Sequence, residues 1–170
     1  KRFNAAERAA HALNEKVAPT DDDEGAGEDV CAETFCVGEG LPEVAEAVSS
    51  ARQSQRTPVI LVDMGDNIGG GSAGDSTFIL SELLAQKAEG WLVVLADPAA
   101  VQACAKAGIG ATVALEVGGK SDNLHGSPVH VSGRVKSLHD GRYIEREARH
   151  GGKRYFDQGL CGVLEIAGAI

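Results

Sequence analysis

Hydrophobic spacing divides the chain into a portion of helices and continuous apolar runs and a portion of alternating strands, with the change near Gly118. Over residues 3–17, Phe3, Ala6, Ala9, Ala10, Leu13 and Val17 recur at helical spacing, and Pro19 supplies the stop. Residues 20–40 are acidic and glycine-containing, with room for a short strand at Thr34–Val37. Leu41–Arg52 reads as a second helix, with Pro42 in its first turn and Val44, Ala45, Ala47 and Val48 on its apolar face. Val59–Val62 is an unbroken apolar run, as expected of a strand covered on both faces. Phe78, Ile79, Leu80, Leu83 and Leu84 predict a helix opened by Ser76 and Thr77. Gly90 breaks that pattern, and Trp91–Ala96 (WLVVLA) is a second continuous run.

Two such runs flanking a helix predict a parallel βαβ unit. Asp97-Pro98 then starts a third helix over Ala99–Ala107, with Asp97 as N-cap and Gly108 as its stop, and Ala111–Val117 is a third strand. Beyond Gly118 the pattern alternates. Strands are predicted at Val129–Leu138, Tyr143–Glu147, Lys153–Asp157 and Leu160–Ile166, with His139-Asp140-Gly141-Arg142 and Gly151-Gly152 as turns. The expected fold class is therefore α/β: a short parallel βαβ core with flanking helices, plus an antiparallel β extension in the C-terminal third. Residues 1–40 form an N-terminal helix and acidic linker, and 41–170 the α/β domain. Lys1 in place of methionine, and an apolar stretch at Ile170, suggest part of a longer protein.

Composition narrows the partners. The 170 residues are 43% hydrophobic but only 4% aromatic, and 22 are glycine, so a core of Val, Leu, Ile and Ala is expected. A net charge of −9 argues against a nucleic-acid or anionic-membrane surface. No apolar run approaches the roughly 20 residues that span a bilayer. Cys31, Cys36, Cys104 and Cys161 include no CxxC pair, so a zinc knot is not expected. Cys104 and Cys161 lie in apolar contexts that suit buried thiols, and Cys31 and Cys36 are close enough for a loop disulfide, although a reducing cytoplasm is the preferred setting.

The candidate chemistry lies between the first apolar run and the helix after it. Asp63 leads into a loop with Asp66, Asn67, Gly69, Gly70, Gly71, Gly74 and Asp75, and Ser76 and Thr77 follow. Backbone of this kind can approach a ligand closely, and N–H groups at a helix start favour an anion or a polarised oxygen. Two readings stand side by side. In one, the loop N–H groups with Ser76 and Thr77 hold a carboxylate, phosphate or carbonyl, and the Lys120 ammonium reaches the same region. In the other, the glycines make tight turns while Asp66 and Asp75 cap backbone groups. A nucleotide P-loop is a third reading and is not expected, because GxxxxGK[ST] is absent and no lysine precedes Ser76. Asp63, Asp66 and Asp75 as hard-cation ligands is the weaker option, since the spacing is not that of an EF-hand and Asp75 occupies a helix N-cap position. His11, His125, His130, His139 and His150 contain no HxH or HxxxH pair, and Ser72 has no nucleophile elbow.

The string Asp66-Asn67-Ile68-Gly69-Gly70-Gly71-Ser72-Ala73-Gly74-Asp75-Ser76-Thr77 resembles the glycine signature of the C-terminal domain of the MlrC family, microcystin-degradation-type zinc metallopeptidases. Further matches follow in order: Pro58–Asp66 before the signature, Asp97–Val101, Ala107–Thr112, Gly118-Gly119-Lys120 with His125-Gly126 and Pro128, then Gly133-Arg134-Val135 and Asp140-Gly141. The resemblance covers about residues 41–167. Ile68 departs from it where proline is usual, as does an acidic, cysteine-containing insert at about 20–36.

The resemblance implies a hydrolytic parent protein that acts on a peptide or amide through water activated on zinc. It places the zinc ligands in an N-terminal metal-binding domain of the same protein, so no catalytic residue and no metal ligand is assigned here. This portion alone is expected to be inactive. Asp66, Asn67, Gly69, Gly70, Gly71, Gly74, Asp75, Ser76, Thr77 and Lys120 would line the shared cleft. The alternative is a non-catalytic α/β module that takes a small anion or carboxylate at the loop. A homo-oligomer is left open.

Overall fold

The computed structural model describes residues 33–37, 42–149 and 152–169. The predicted N-terminal helix, the acidic run and Cys31 lie outside them. Described elements run β1 (Glu33–Val37), α1 (Val44–Gln53), β2 (Val59–Asp63), a 3-10 turn (Ile68–Gly70), α2 (Phe78–Ala85), α3 (Pro98–Ala107), β3 (Thr112–Val117), β4 (Val129–His139), β5 (Arg142–Arg149), β6 (Lys153–Asp157) and β7 (Cys161–Ile166). Helices and strands are mixed in the broad α/β manner expected. They form two compact units, one made of the described residues up to Ala88 with Gly119–Ser127, the other of Glu89–Gly118 with the described residues from Pro128.

The first unit contains a parallel strand pair, β1 beside β2 with Glu33 opposite Val59 and Val37 opposite Asp63. Helix α1 connects these strands. Its Ala47 and Val48 are buried, as the spacing predicts, but Ala45 is exposed, and Pro42 precedes the N-cap Glu43 instead of entering the first turn. Leu80 and Leu83 of α2 are buried with Met64 and Ala88. The core of this unit is thus the aliphatic one that its composition requires.

The second unit is antiparallel. β4 lies between β3 and β7, with Thr112 opposite Arg134 and Gly133 opposite Ile166, and β5 pairs with β6. Val131 and Val135 are buried on β4, and Cys104 on α3. Cys161 is half-buried, and both thiols are free. Asp97 caps α3 by accepting from the Ala100 N–H at 2.9 Å, and Gly108 ends the helix at φ 88°, both as predicted.

The expected parallel βαβ core built on the Trp91–Ala96 run is not found. Trp91 makes one isolated parallel bridge, to Ala169, and no described strand continues it. Alternate side chains of the run face outward, with Leu92 70% and Val94 85% exposed. A continuous apolar run fits a strand buried on both faces, but hydrophobicity does not supply the ladder partner that makes it one. β3, also expected in the α/β half, belongs to the antiparallel sheet. Among the described residues, no helix is long and apolar enough to cross a membrane.

Candidate functional site

Strand β2 delivers Asp63 to the start of the glycine loop, and its short carboxylate folds back at once. Oδ1 accepts from the N–H groups of Gly65 (2.9 Å) and Asp66 (3.2 Å), an Asx-type turn that redirects the chain. Oδ2 accepts from the Ser76 hydroxyl at 2.6 Å, tying the strand end to the far end of the loop. Asp66 is the hub. Its Oδ1 accepts from the Ser72 hydroxyl and the Gly74 N–H, each at 2.8 Å, and its Oδ2 accepts from the Ser76 N–H. Asn67 caps the 3-10 turn by accepting from Gly69 N–H at 2.9 Å, and Gly71 leaves that turn at φ 97°, where a side chain would be strained.

Most loop donors are therefore engaged inside the chain. Gly70 and Ser72 N–H donate to the Asn67 carbonyl, Gly71 N–H to the Ile68 carbonyl, and Thr77 N–H to the His125 carbonyl. With Gly69, Gly74 and Ser76, seven N–H groups of the segment have partners. The apex Gly69–Gly71 is exposed, whereas Asp75, Ser76 and Thr77 are buried.

Asp75 is not the cap of α2. The N-cap is Thr77, whose hydroxyl donates to the Ser127 carbonyl at 2.8 Å. Asp75 is 2% exposed and turns toward the Gly-Gly-Lys segment: its Oδ2 accepts from the N–H groups of Lys120 (2.8 Å) and Ser121 (3.0 Å), and its carbonyl from Gly119 N–H. Burial pushes the Asp75 carboxyl up, but these backbone donors, with the Ser121 hydroxyl, outweigh it and hold the group below the ordinary carboxylate value. Oδ1 is buried without a partner. Lys120 is brought to the site through its backbone, with its side chain exposed.

The carboxylates do not fit a metal. The oxygens of Asp63 and Asp66 face N–H and O–H donors, and Asp75 points to a separate turn. Among the described residues, no three His, Cys, Asp or Glu side chains converge as metal ligands would.

Pattern reading missed His125. Its Nδ1 lies 2.7 Å from Asp122 Oδ2, and its Nε2 lies 3.3 Å from Ser72 Oγ. The other Asp122 oxygen accepts from the N–H groups of Leu124 (2.7 Å) and His125 (3.1 Å), which fixes the carboxylate beside Nδ1. The hydrogen bond that the ring donates to Asp122 raises the imidazole above its ordinary value; burial opposes this, while the charges of Asp122 and Asp66 and a bond to the Gly65 backbone add to it. Asp-x-x-His spacing directly after the Gly-Gly-Lys segment was the available signal.

Comparison with known proteins now bears on this geometry. The family model described as MlrC C-terminus matches residues 61–170. Microcystinase C from Sphingomonas sp. is 37% identical over 95 residues, covering 55% of this chain and 19% of that protein. A crystal structure from Mesorhizobium sp. BNC1, of a protein assigned as a metallopeptidase, aligns with a TM-score of 0.64 at 29% identity, covering 74% of this chain and 25% of that one. The chain thus spans about a fifth to a quarter of the length of these relatives.

Proposed function

The chain belongs to the MlrC C-terminus family, and on that premise we propose that it is the C-terminal part of a metal-dependent hydrolase of peptides or amides. The metal, zinc in this reading, is held by an N-terminal domain of the same protein in a cytoplasmic setting. No step through that metal is assigned to this part, because its own carboxylates are occupied by N–H and O–H donors. Its task is to form one wall of the cleft. Residues Asp66 to Thr77, with Lys120 beside them, make a self-supporting ridge whose exposed Gly69–Gly71 apex gives a substrate backbone close approach.

The observation that carries this reading is the internal saturation of the loop: seven of its N–H groups are satisfied before any ligand arrives. A free-standing anion-capture module needs those donors, whereas a rigid wall needs them satisfied. Position, not N–H donation, is then what the loop supplies.

Gly70 provides the test. A Cβ there would meet only Asn67 Cβ, at 4.0 Å, so a side chain can be added with little cost to the fold. In the full-length zinc-loaded protein, Gly70→Val is expected to lower hydrolysis of a linear peptide by on the order of a hundredfold through misplacement of substrate, with the melting temperature unchanged. Wild-type turnover in the variant would overturn the cleft-wall reading, as would a loss of activity no greater than its loss of folded protein.

A further inference from the structure

Two stretches distant in sequence meet at the His125 ring: Asp122 from its own turn, and Ser72 from the glycine loop. Proton positions follow from the partners. A carboxylate can only accept, so Nδ1 carries a proton toward Asp122. The Ser72 hydroxyl has one proton, and Asp66 Oδ1 at 2.8 Å is a better placed acceptor than Nε2 at 3.3 Å. Ser72 therefore presents a lone pair to the ring. That contact is satisfied only if Nε2 also carries a proton, which makes the ring an imidazolium.

We propose that His125, in its charged form, is the positioning residue of the glycine loop, joining the Asp122 turn to Ser72 and through Ser72 to the Asp66 hub. When Nε2 loses its proton, its lone pair faces that of Ser72. Either Ser72 then turns its hydroxyl away from Asp66 or the contact opens. Each outcome loosens the segment from Gly65 to Ser76.

The charged groups that act on the ring are Asp122 from its own turn and Asp66 from the loop, both negative. Charge and geometry thus favour the same protonated state. Because the folded imidazole is held above its ordinary value, the stabilisation is complete below that ordinary value and is lost as pH rises through the raised one. The Thr77 N–H donates to the His125 carbonyl, a bond that does not titrate, so the start of α2 stays in place. The effect on activity rests on the cleft-wall reading; the effect on loop order does not.

The experiment is amide hydrogen exchange on the chain, expressed as protection factors so that the intrinsic pH dependence of exchange is removed, with the His125 ring followed by NMR. From about pH 5.5 to about pH 8.5, protection at Gly74 and Ser76 is expected to fall by about tenfold, as for loss of one charged hydrogen bond. Thr77 protection should hold. Asp122→Asn, an exposed site, should move the transition to lower pH, and His125→Gln, which keeps an amide donor but does not titrate, should abolish it. A flat wild-type profile, or the same fall in His125→Gln, overturns the proposal. If loop protection follows the ring and peptide hydrolysis by the full-length protein does not, the positioning role stands and the cleft-wall reading fails.

Discussion

Gly126 offers the sharpest structural test of how the glycine loop is braced. It sits at φ 93°, and a Cβ built on it would overlap the Thr77 hydroxyl while lying 3.5 Å from Thr77 Cβ and N. Thr77 cannot easily yield: it is 1% exposed, its hydroxyl donates to the Ser127 carbonyl at 2.8 Å, and its N–H donates to the His125 carbonyl at 3.0 Å. Gly126→Ala therefore carries two costs. Left-handed backbone strain is about 1–2 kcal/mol. Displacing the Thr77 hydroxyl from its acceptor leaves a buried polar group unsatisfied, about 1–3 kcal/mol. The total is about 2–5 kcal/mol.

Gly71→Ala is the control, because Gly71 has a similar φ of 97° and nothing within 4 Å of the added Cβ. It should show the strain cost alone, about 1–2 kcal/mol. Urea titrations of wild type and both variants, with m-values compared, give the difference. Adding Thr77→Ala to Gly126→Ala removes the overlapping hydroxyl, so the two substitutions should couple favourably in a double-mutant cycle. If Gly126→Ala costs no more than Gly71→Ala, and no coupling appears, the packing of this segment on Thr77 does not brace the loop.

Asp75 sets an acid limit. Its carboxyl is held below the ordinary value, so its contribution is present above the unfolded-state value and is lost as pH falls through the lower folded one. Urea stability measured from neutral pH downward should therefore fall more steeply for wild type than for Asp75→Asn; parallel curves would show that the Lys120 and Ser121 bonds do not stabilise the charged form. Asp66→Ala should free the Gly74 and Ser76 N–H groups and the Ser72 hydroxyl together, and added formate should recover part of the lost amide protection at Gly74 and Ser76. Absence of recovery at formate concentrations that leave wild type unchanged would argue against Asp66 as the hub.

Legibility followed the range of the interactions. The strands of the C-terminal third were readable because alternation is a local feature, and β5 and β6 pair as a hairpin. The Gly141 turn, at φ 71°, was also readable, but the strands it joins are not a hairpin: β4 pairs with β3 and β7, and β5 with β6, because the choice of partner is not local. Helix α3 was readable because cap, proline and stop lie within a dozen residues. The Trp91–Ala96 run misled because strand identity depends on a partner, and pairing is decided by the rest of the fold. Asp75 misled for a related reason. A carboxylate just before a helix satisfies the local rule for a cap, but the turn at Gly118-Gly119 brings the Lys120 and Ser121 N–H groups to it from 45 and 46 residues away. The contact between Ser72 and His125 spans 53 residues and is beyond any spacing rule.

The same distinction explains why a glycine-rich strand–loop–helix can be taken for an anion cradle. Composition identifies a backbone able to converge its N–H groups on one point, and that convergence is present. The group at the focus is Asp66 of the chain itself, receiving the Gly74 and Ser76 N–H groups and the Ser72 hydroxyl where an external carboxylate or phosphate would otherwise sit. An internal anion held by three donors restricts the loop far more than an empty cradle could, since an empty cradle leaves its donors to water and its glycines to their conformational freedom. The glycines are then explained by the tight path around Asp66, and the exposed apex at Gly69–Gly71 is what remains for contact with another molecule. Rigidity of this kind suits the cleft-wall role proposed for it.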